Sequence, residues 1–202
     1  MARRRRKQKL PPLIVTMIVM LGIGVSVVGC QAWQNRQTAE DITTQTNGEE
    51  TKAAFIKRLA PYAQQLHQTY GVYASITLAQ AILESDWGQS TLAKDYHNLF
   101  GIKSNDPANS QVLTTQEYVN DQWVTIKARF AVYPSDQASM KAHALLFVNG
   151  TNWNPAQYQT VLKATTYQAA AQALKTDGYA TDPDYPNKLI NLIKQWQLDQ
   201  YD

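Results

Sequence analysis

The chain has 202 residues, 44% of them hydrophobic, which suits one globular domain with appendages. Its formal charge of +3 belongs to one end: Arg3, Arg4, Arg5, Arg6, Lys7 and Lys9 are six of the 19 basic residues, and the other 13 face all 16 acidic residues, leaving −3. That balance excludes a basic nucleic-acid-binding domain, and a single cysteine excludes an intrachain disulfide.

The basic tail, residues 1–9, is followed by an uncharged stretch, residues 10–32. Its length is near the ~20 residues that a membrane-spanning helix needs. Basic residues in front of such a segment keep the N-terminus cytoplasmic and deliver the chain beyond it to the outside. Three outcomes fit: an uncleaved signal anchor, a cleaved signal peptide, or a lipoprotein signal processed at Val27-Val28-Gly29-Cys30, with Cys30 lipidated. The anchor is preferred because Val-Val is a mediocre processing site. The anchor and the lipoprotein both tether the chain to the outer membrane surface. Residues 33–52 form a polar linker without apolar periodicity. As a coil such a linker reaches about 25 Å, and fully extended about 65 Å.

The remaining residues, 53–202, are expected to form one mainly helical domain with a small β-hairpin. Phe55, Ile56, Leu59, Ala63 and Leu66 mark the apolar side of a helix over 53–70, with Pro61 expected to kink it or start a second one and Gly71 to end it. Ser75 is a candidate N-cap for the next helix, which carries Ile76, Ala79, Ile82 and Leu83 on one side and stops near Gly88. At about 100° per residue, Thr77, Gln80 and Glu84 fall within roughly 60° of one another on the opposite side. Glu84 is thus a lone carboxylate near the end of a mostly apolar helix. Apolar surroundings raise a carboxyl pKa, which keeps a general acid protonated near neutral pH. The plain alternative is a solvated glutamate on an outer face. Two features favour the acid. Beyond Glu50 the only glutamates are Glu84 and Glu117, and residues 87–103, rich in aromatics, Gly and Asn, lack helical period, as a groove-lining loop does.

Residues 111–133 change period. Val124, Ile126, Ala128 and Phe130 alternate, as in a half-buried strand, and Asn120-Asp121 suits a hairpin turn, with Glu117 and Tyr118 just before it. Ser135 is expected to cap a helix reaching about Val148, closed by Asn149-Gly150. Residues 155–163, 167–176 and 187–198 read as further helices, with 177–186 as a loop. No internal repeat or second module is expected.

AQAILES (79–85), WGQSTLA (87–93) and NLFGIK (98–103), in this order and spacing, together with YATDPDYPNKL (179–189), resemble the signature of the bacterial glucosaminidase family, glycoside hydrolase family 73. The resemblance covers roughly residues 53–198. It implies a lysozyme-like domain with a β-hairpin lobe beside a cleft, and an endo-β-N-acetylglucosaminidase acting on peptidoglycan glycan strands. In its terms Glu84 is the acid, Glu117 the second carboxylate, and Tyr179 a cleft residue that orients the substrate's acetamido group. Gln80, Asn98, Phe100, Tyr118, Trp123 and Asp182 are the expected substrate-contacting residues, with Asn98 and Phe100 on the groove floor. Asp182-Pro183 can equally shape the loop. Glu117 can equally be an exposed hairpin residue.

Among the 11 tyrosines and five tryptophans, Trp123 and Trp153 are the candidates for exposed sugar-stacking faces; the rest suit a core. His67, His97 and His143 lack metal-ligand spacing, and no Gly-rich phosphate loop occurs, so no metal or cofactor is expected. The expected partners are wall glycan and the membrane, without nucleic acid, for a monomeric enzyme facing the cell wall. A catalytically silent wall-binding or scaffold module on the same fold, and a muramidase or lytic transglycosylase, are the competing functions. The Glu84, Glu117 and Tyr179 set argues against the first and the YATDP block against the second.

Overall fold

The computed structural model describes residues 50–119 and 122–202, with backbone alone between 116 and 123. Residues 1–49, including the uncharged stretch and Cys30, lie outside the described residues. Among those described, no helix is long and apolar enough to cross a membrane.

Helix α1, Lys52–Tyr70, is opened by the Thr51 side chain, which accepts from the Ala54 N–H, and closed by Gly71 in the left-handed region. Its five expected apolar positions are all buried. Pro61, however, neither breaks the helix nor starts another. It sits on the exposed side, as does Lys57 one turn earlier, so the carbonyl deprived of a donor lies on the solvent side.

Helix α2, Ala74–Ser85, is the central element, packed against α1 and against the last helices of the chain. The expected two-sided helix is not what forms. Every residue from Ala74 to Ile82 is buried, including Thr77 and Gln80. Ser75 does not cap it either. Tyr73 occupies the cap position without a side-chain bond. The first turn is instead closed by a carboxylate from far along the chain: Ser75 N–H and Oγ each donate to Asp202 at 2.7 Å. At the other end Asp86, at φ 49°, terminates the helix two residues before Gly88. Gly88 still matters. It has φ +76°, and a Cβ there would stand 2.8 Å from the Phe55 ring. Ser85 Oγ accepts from the Gly88 N–H at 2.7 Å, which pins this turn directly after Glu84.

The expected loop contains a short helix α3, Thr91–Tyr96, capped by Ser90 and ended by His97 at φ 53°. Strands β1, Ser110–Val119, and β2, Gln122–Ala131, pair antiparallel as the expected hairpin, with Glu117 opposite Val124 and Tyr118 opposite Trp123. Helix α4, Asp136–Asn149, begins at the Ser135 cap and ends at Gly150. Asp136 joins its start to the rest of the domain, accepting from Arg58 and pairing with His97 Nδ1 at 2.8 Å.

The helix expected over 155–163 shrinks to α5, Gln159–Leu162. A side-chain-held turn takes the preceding residues: Asn154 Oδ1 accepts from Ala156 N–H, and Thr151 Oγ donates to Gln157 Oε1 at 2.7 Å. Helix α6, Tyr167–Thr176, has the expected bounds, with Thr166 as cap. Helix α7, Tyr185–Trp196, starts two residues early, with Pro186 in its first turn, and a 3-10 turn, Leu198–Tyr201, leads to Asp202. The core lies between α1, α2, α4, α6 and α7, where Phe55, Ile76, Leu78, Met140, Phe147, Leu174, Tyr179 and Leu189 are fully buried.

Candidate active site

Glu84 occupies the last turn of α2, where the central helix reaches the surface. Four residues earlier, on the same helical face, is Gln80. Facing both, from the first position of α7, is Tyr185. Gln80 Nε2 donates to the Tyr185 hydroxyl at 3.0 Å, and that hydroxyl donates to Glu84 Oε1 at 2.7 Å. Glu84 Oε2 is buried and has no hydrogen-bond partner. Burial raises the Glu84 carboxyl to about 8, against the opposing effects of the Tyr185 hydrogen bond and the Lys188 charge. A carboxyl in that state carries its proton at neutral pH and can give it away, as a general acid must.

Tyr179 enters the same neighbourhood from the loop between α6 and α7. It is fully buried, its ring stacks on Tyr185 with centroids 6.0 Å apart, and its hydroxyl has no partner. Burial and the nearby Glu84 raise its phenol well above the ordinary value. The loop is held from both sides. Gln157 Nε2 donates to the Asp177 carbonyl at 3.0 Å, and Lys175 Nζ to the Pro183 carbonyl at 3.1 Å.

Behind Tyr179 lies His143. It is fully buried, stacked on Phe100 at 3.9 Å and edge-on to Phe147. Neither ring nitrogen has a partner, and burial pushes its pKa down to about 3, so the ring is neutral.

The structure thus brings together Glu84, Gln80 and Tyr179 from the expected set. Others serve differently from expectation. Phe100 is part of the core rather than a groove floor. Asn98 is also buried: its Nδ2 donates to the carbonyls of Ile102 and Ala131, and its Oδ1 accepts from Ile102 N–H. That side chain ties the loop to β2 and offers no free donor. Gln80 is likewise sealed from solvent, its Nε2 bonded to Tyr185 and its Oε1 buried without a partner. Asp182 folds its own loop, accepting from the Asp184 N–H and pairing with Lys188 Nζ at 2.6 Å. Glu117, Tyr118 and Trp123 lie near the hairpin's tip, in the stretch described by backbone alone. Trp153 is 68% exposed on its turn.

Tyr185 is the residue that sequence reasoning missed. Its signal was present: it is the second tyrosine of the YATDPDYPNKL block, directly before the proline that opens α7.

The family model for glucosaminidase, described as mannosyl-glycoprotein endo-β-N-acetylglucosaminidase, matches residues 60–198. The chain is 39% identical over 198 residues to the exo-glucosaminidase LytG of Bacillus subtilis, covering 98% of this chain and 70% of that protein. It is 41% identical over 170 residues to a probable N-acetylmuramidase of Lactococcus lactis, covering 83% of this chain but only 38% of that one. Among solved structures, the catalytic domain of the autolysin Auto from Listeria monocytogenes superposes with a TM-score of 0.70 at 36% identity, over 88% of this chain and all of that one. A C-terminally truncated glycoside hydrolase domain of FlgJ from Salmonella typhimurium gives 0.57 at 35% identity, over 73% of this chain and 98% of that one. With the matched region spanning Glu84, Tyr179 and Tyr185, the chain belongs to the glucosaminidase family and is a glycoside hydrolase with that family's mainly helical, lysozyme-like fold and small two-stranded sheet.

Proposed function

We propose that this peptidoglycan hydrolase cleaves the β-1,4 bond after N-acetylglucosamine within wall glycan strands, with Glu84 as the general acid. The observation that carries it is the state of Glu84: a carboxyl raised to about 8 by burial, with one oxygen held by Tyr185 and the other unpartnered. Glu84 protonates the leaving glycosidic oxygen as the sugar carbon gains positive charge. Glu117, on the hairpin, is the second carboxylate and activates a water on the opposite face. Inversion by that route needs carboxyl groups about 6.5–9.5 Å apart. Tyr179, with its free hydroxyl, orients the acetamido group of the bound sugar. Tyr118 and Trp123, on the same hairpin, contact the glycan.

Two observations favour neighbouring specificities. The Bacillus subtilis relative is named an exo-glucosaminidase and the Lactococcus lactis one a probable muramidase. Mass spectrometry of digested wall separates all three. Internal fragments with N-acetylglucosamine at the reducing end support the endo-glucosaminidase; released monosaccharide indicates exo action, and muramic acid at the reducing end a muramidase. Glu84→Gln is expected to lower hydrolysis of purified wall by about 10²–10⁴ while the protein stays folded. Undiminished activity would remove Glu84 from the role of acid. An inverted first product by NMR, with a severely impaired Glu117→Gln variant, is the expected result for Glu117 as base; a retained product would shift the attack to the substrate's own acetamido oxygen.

The same reading places the enzyme at the outer face of the membrane, facing the wall. Residues 1–9 remain cytoplasmic, 10–32 tether, 33–52 give reach, and 53–202 work as a monomer. The support is the run of six basic residues before an uncharged stretch. Full-length protein recovered from the cytosol on fractionation would contradict it. Loss of membrane retention in Cys30→Ala would favour the lipid anchor over the spanning one.

A further inference from the structure

We infer that Gln80 and Tyr185 form a positioning relay that fixes Glu84 Oε1 as a hydrogen-bond acceptor and so assigns the transferable proton to Oε2. The inference deepens the proposed function and rests on Glu84 being the acid. With the Gln80 amide nitrogen turned to Tyr185, Nε2 donates to the phenol oxygen at 3.0 Å, and Gln80 Oε1, on the other side, is buried without a partner. With its lone pair facing that donor, the phenol turns its own proton towards Glu84 Oε1, 2.7 Å away. An oxygen accepting this hydrogen bond is a poor place for the carboxylic proton. Oε2, buried and without a protein partner, is the remaining one. The free oxygen is therefore both the proton-bearing and the unengaged one, as delivery to a bound substrate requires.

The relay is built from elements that hold it rigidly. Gln80 and Glu84 share one face of the buried helix α2, and Tyr185 is fixed by burial, by stacking on Tyr179, and by its place in the first turn of α7. Gln80 and Tyr185 are both 3% exposed or less, and their hydrogen bonds lead through the Tyr185 hydroxyl to Glu84. The charged and titratable groups around Glu84 are Tyr185 and Lys188 from α7 and Tyr179 from the preceding loop, with Lys188 itself paired to Asp182.

Tyr185→Phe keeps the ring and deletes the hydroxyl. A neutral hydrogen bond of ordinary strength corresponds to about threefold to tenfold in kcat, with KM nearly unchanged. Because a hydrogen bond donated to a carboxylate favours its charged form, losing it moves the basic limb of the kcat profile to higher pH. A purely structural role would lower thermal stability and leave that limb in place. Gln80→Met, similar in length and without a donor, is expected to shift kcat and the limb in the same direction, less strongly. In the Tyr185→Phe background the Gln80→Met substitution should have almost no further effect on either, since its only route to Glu84 is gone. Full kcat with an unmoved limb in Tyr185→Phe, or an undiminished Gln80→Met effect in the double variant, would overturn the relay. An active Glu84→Gln enzyme would overturn the acid assignment along with it, whereas an inactive Glu84→Gln beside a fully normal Tyr185→Phe removes the relay alone.

Discussion

Glu84 and His143 are both held uncharged by burial, and each ties stability to pH in its own direction. Glu84 keeps its proton up to about 8 in the folded chain, while the unfolded chain releases it near the ordinary 4.5. Folding therefore binds an extra proton between these values, and stability falls as pH rises through that window. Glu84→Gln is expected to unfold several degrees above the parent at pH 8, with the gain vanishing below about pH 4.5. Equal melting temperatures across that range would contradict it. His143 works on the acid side. Its folded value near 3 lies below the ordinary 6.5, so the unfolded state binds the extra proton and stability falls as pH drops from 6.5 towards 3. The slope is up to about 1.4 kcal/mol per pH unit. In His143→Leu the melting temperature should fall less between pH 6.5 and 4 than in the parent. Glu84 stood out in the sequence because a lone glutamate in an apolar helix is a local pattern. Tyr185 did not, because its partnership with Glu84 spans 101 residues and depends on how α7 docks on α2.

Among the elements, those with local start and stop chemistry matched expectation most closely. Ser135 and Thr166 cap where they stand, Gly71 and Gly150 close helices, and the alternation around Val124 to Phe130 folds as a strand. Pro61 is a strong local breaker, and Ser75 a good local cap, yet tertiary packing carries α1 on past the one and starts α2 ahead of the other. Six buried apolar side chains hold α1 through its proline, and the start of α2 is claimed by Asp202. The proline should still cost the helix. A helix-interior proline is worse than alanine by about 3 kcal/mol, partly offset by about 1 kcal/mol through its stiffening of the unfolded chain. Pro61→Ala is expected to raise stability by about 1–2 kcal/mol, read as a higher denaturant midpoint at unchanged slope. A lower midpoint would show that the proline fits its place better than helix geometry allows.

Across the whole molecule, the central helix is begun and ended by groups that come late in the chain. The first turn of α2 is closed by Asp202, 127 residues after Ser75, and the carboxyl on its last turn is held by Tyr185 beside Tyr179. That sets an order of assembly. A ribosome adding about 5–20 residues per second needs on the order of ten seconds to travel from Ser75 to Asp202. For most of that interval the nascent chain has the helix sequence but neither Asp202 nor the Tyr185 phenol that bonds Glu84. The segment from Tyr185 to Asp202 therefore has to dock before the first turn of α2 is closed and the Glu84 carboxyl is held.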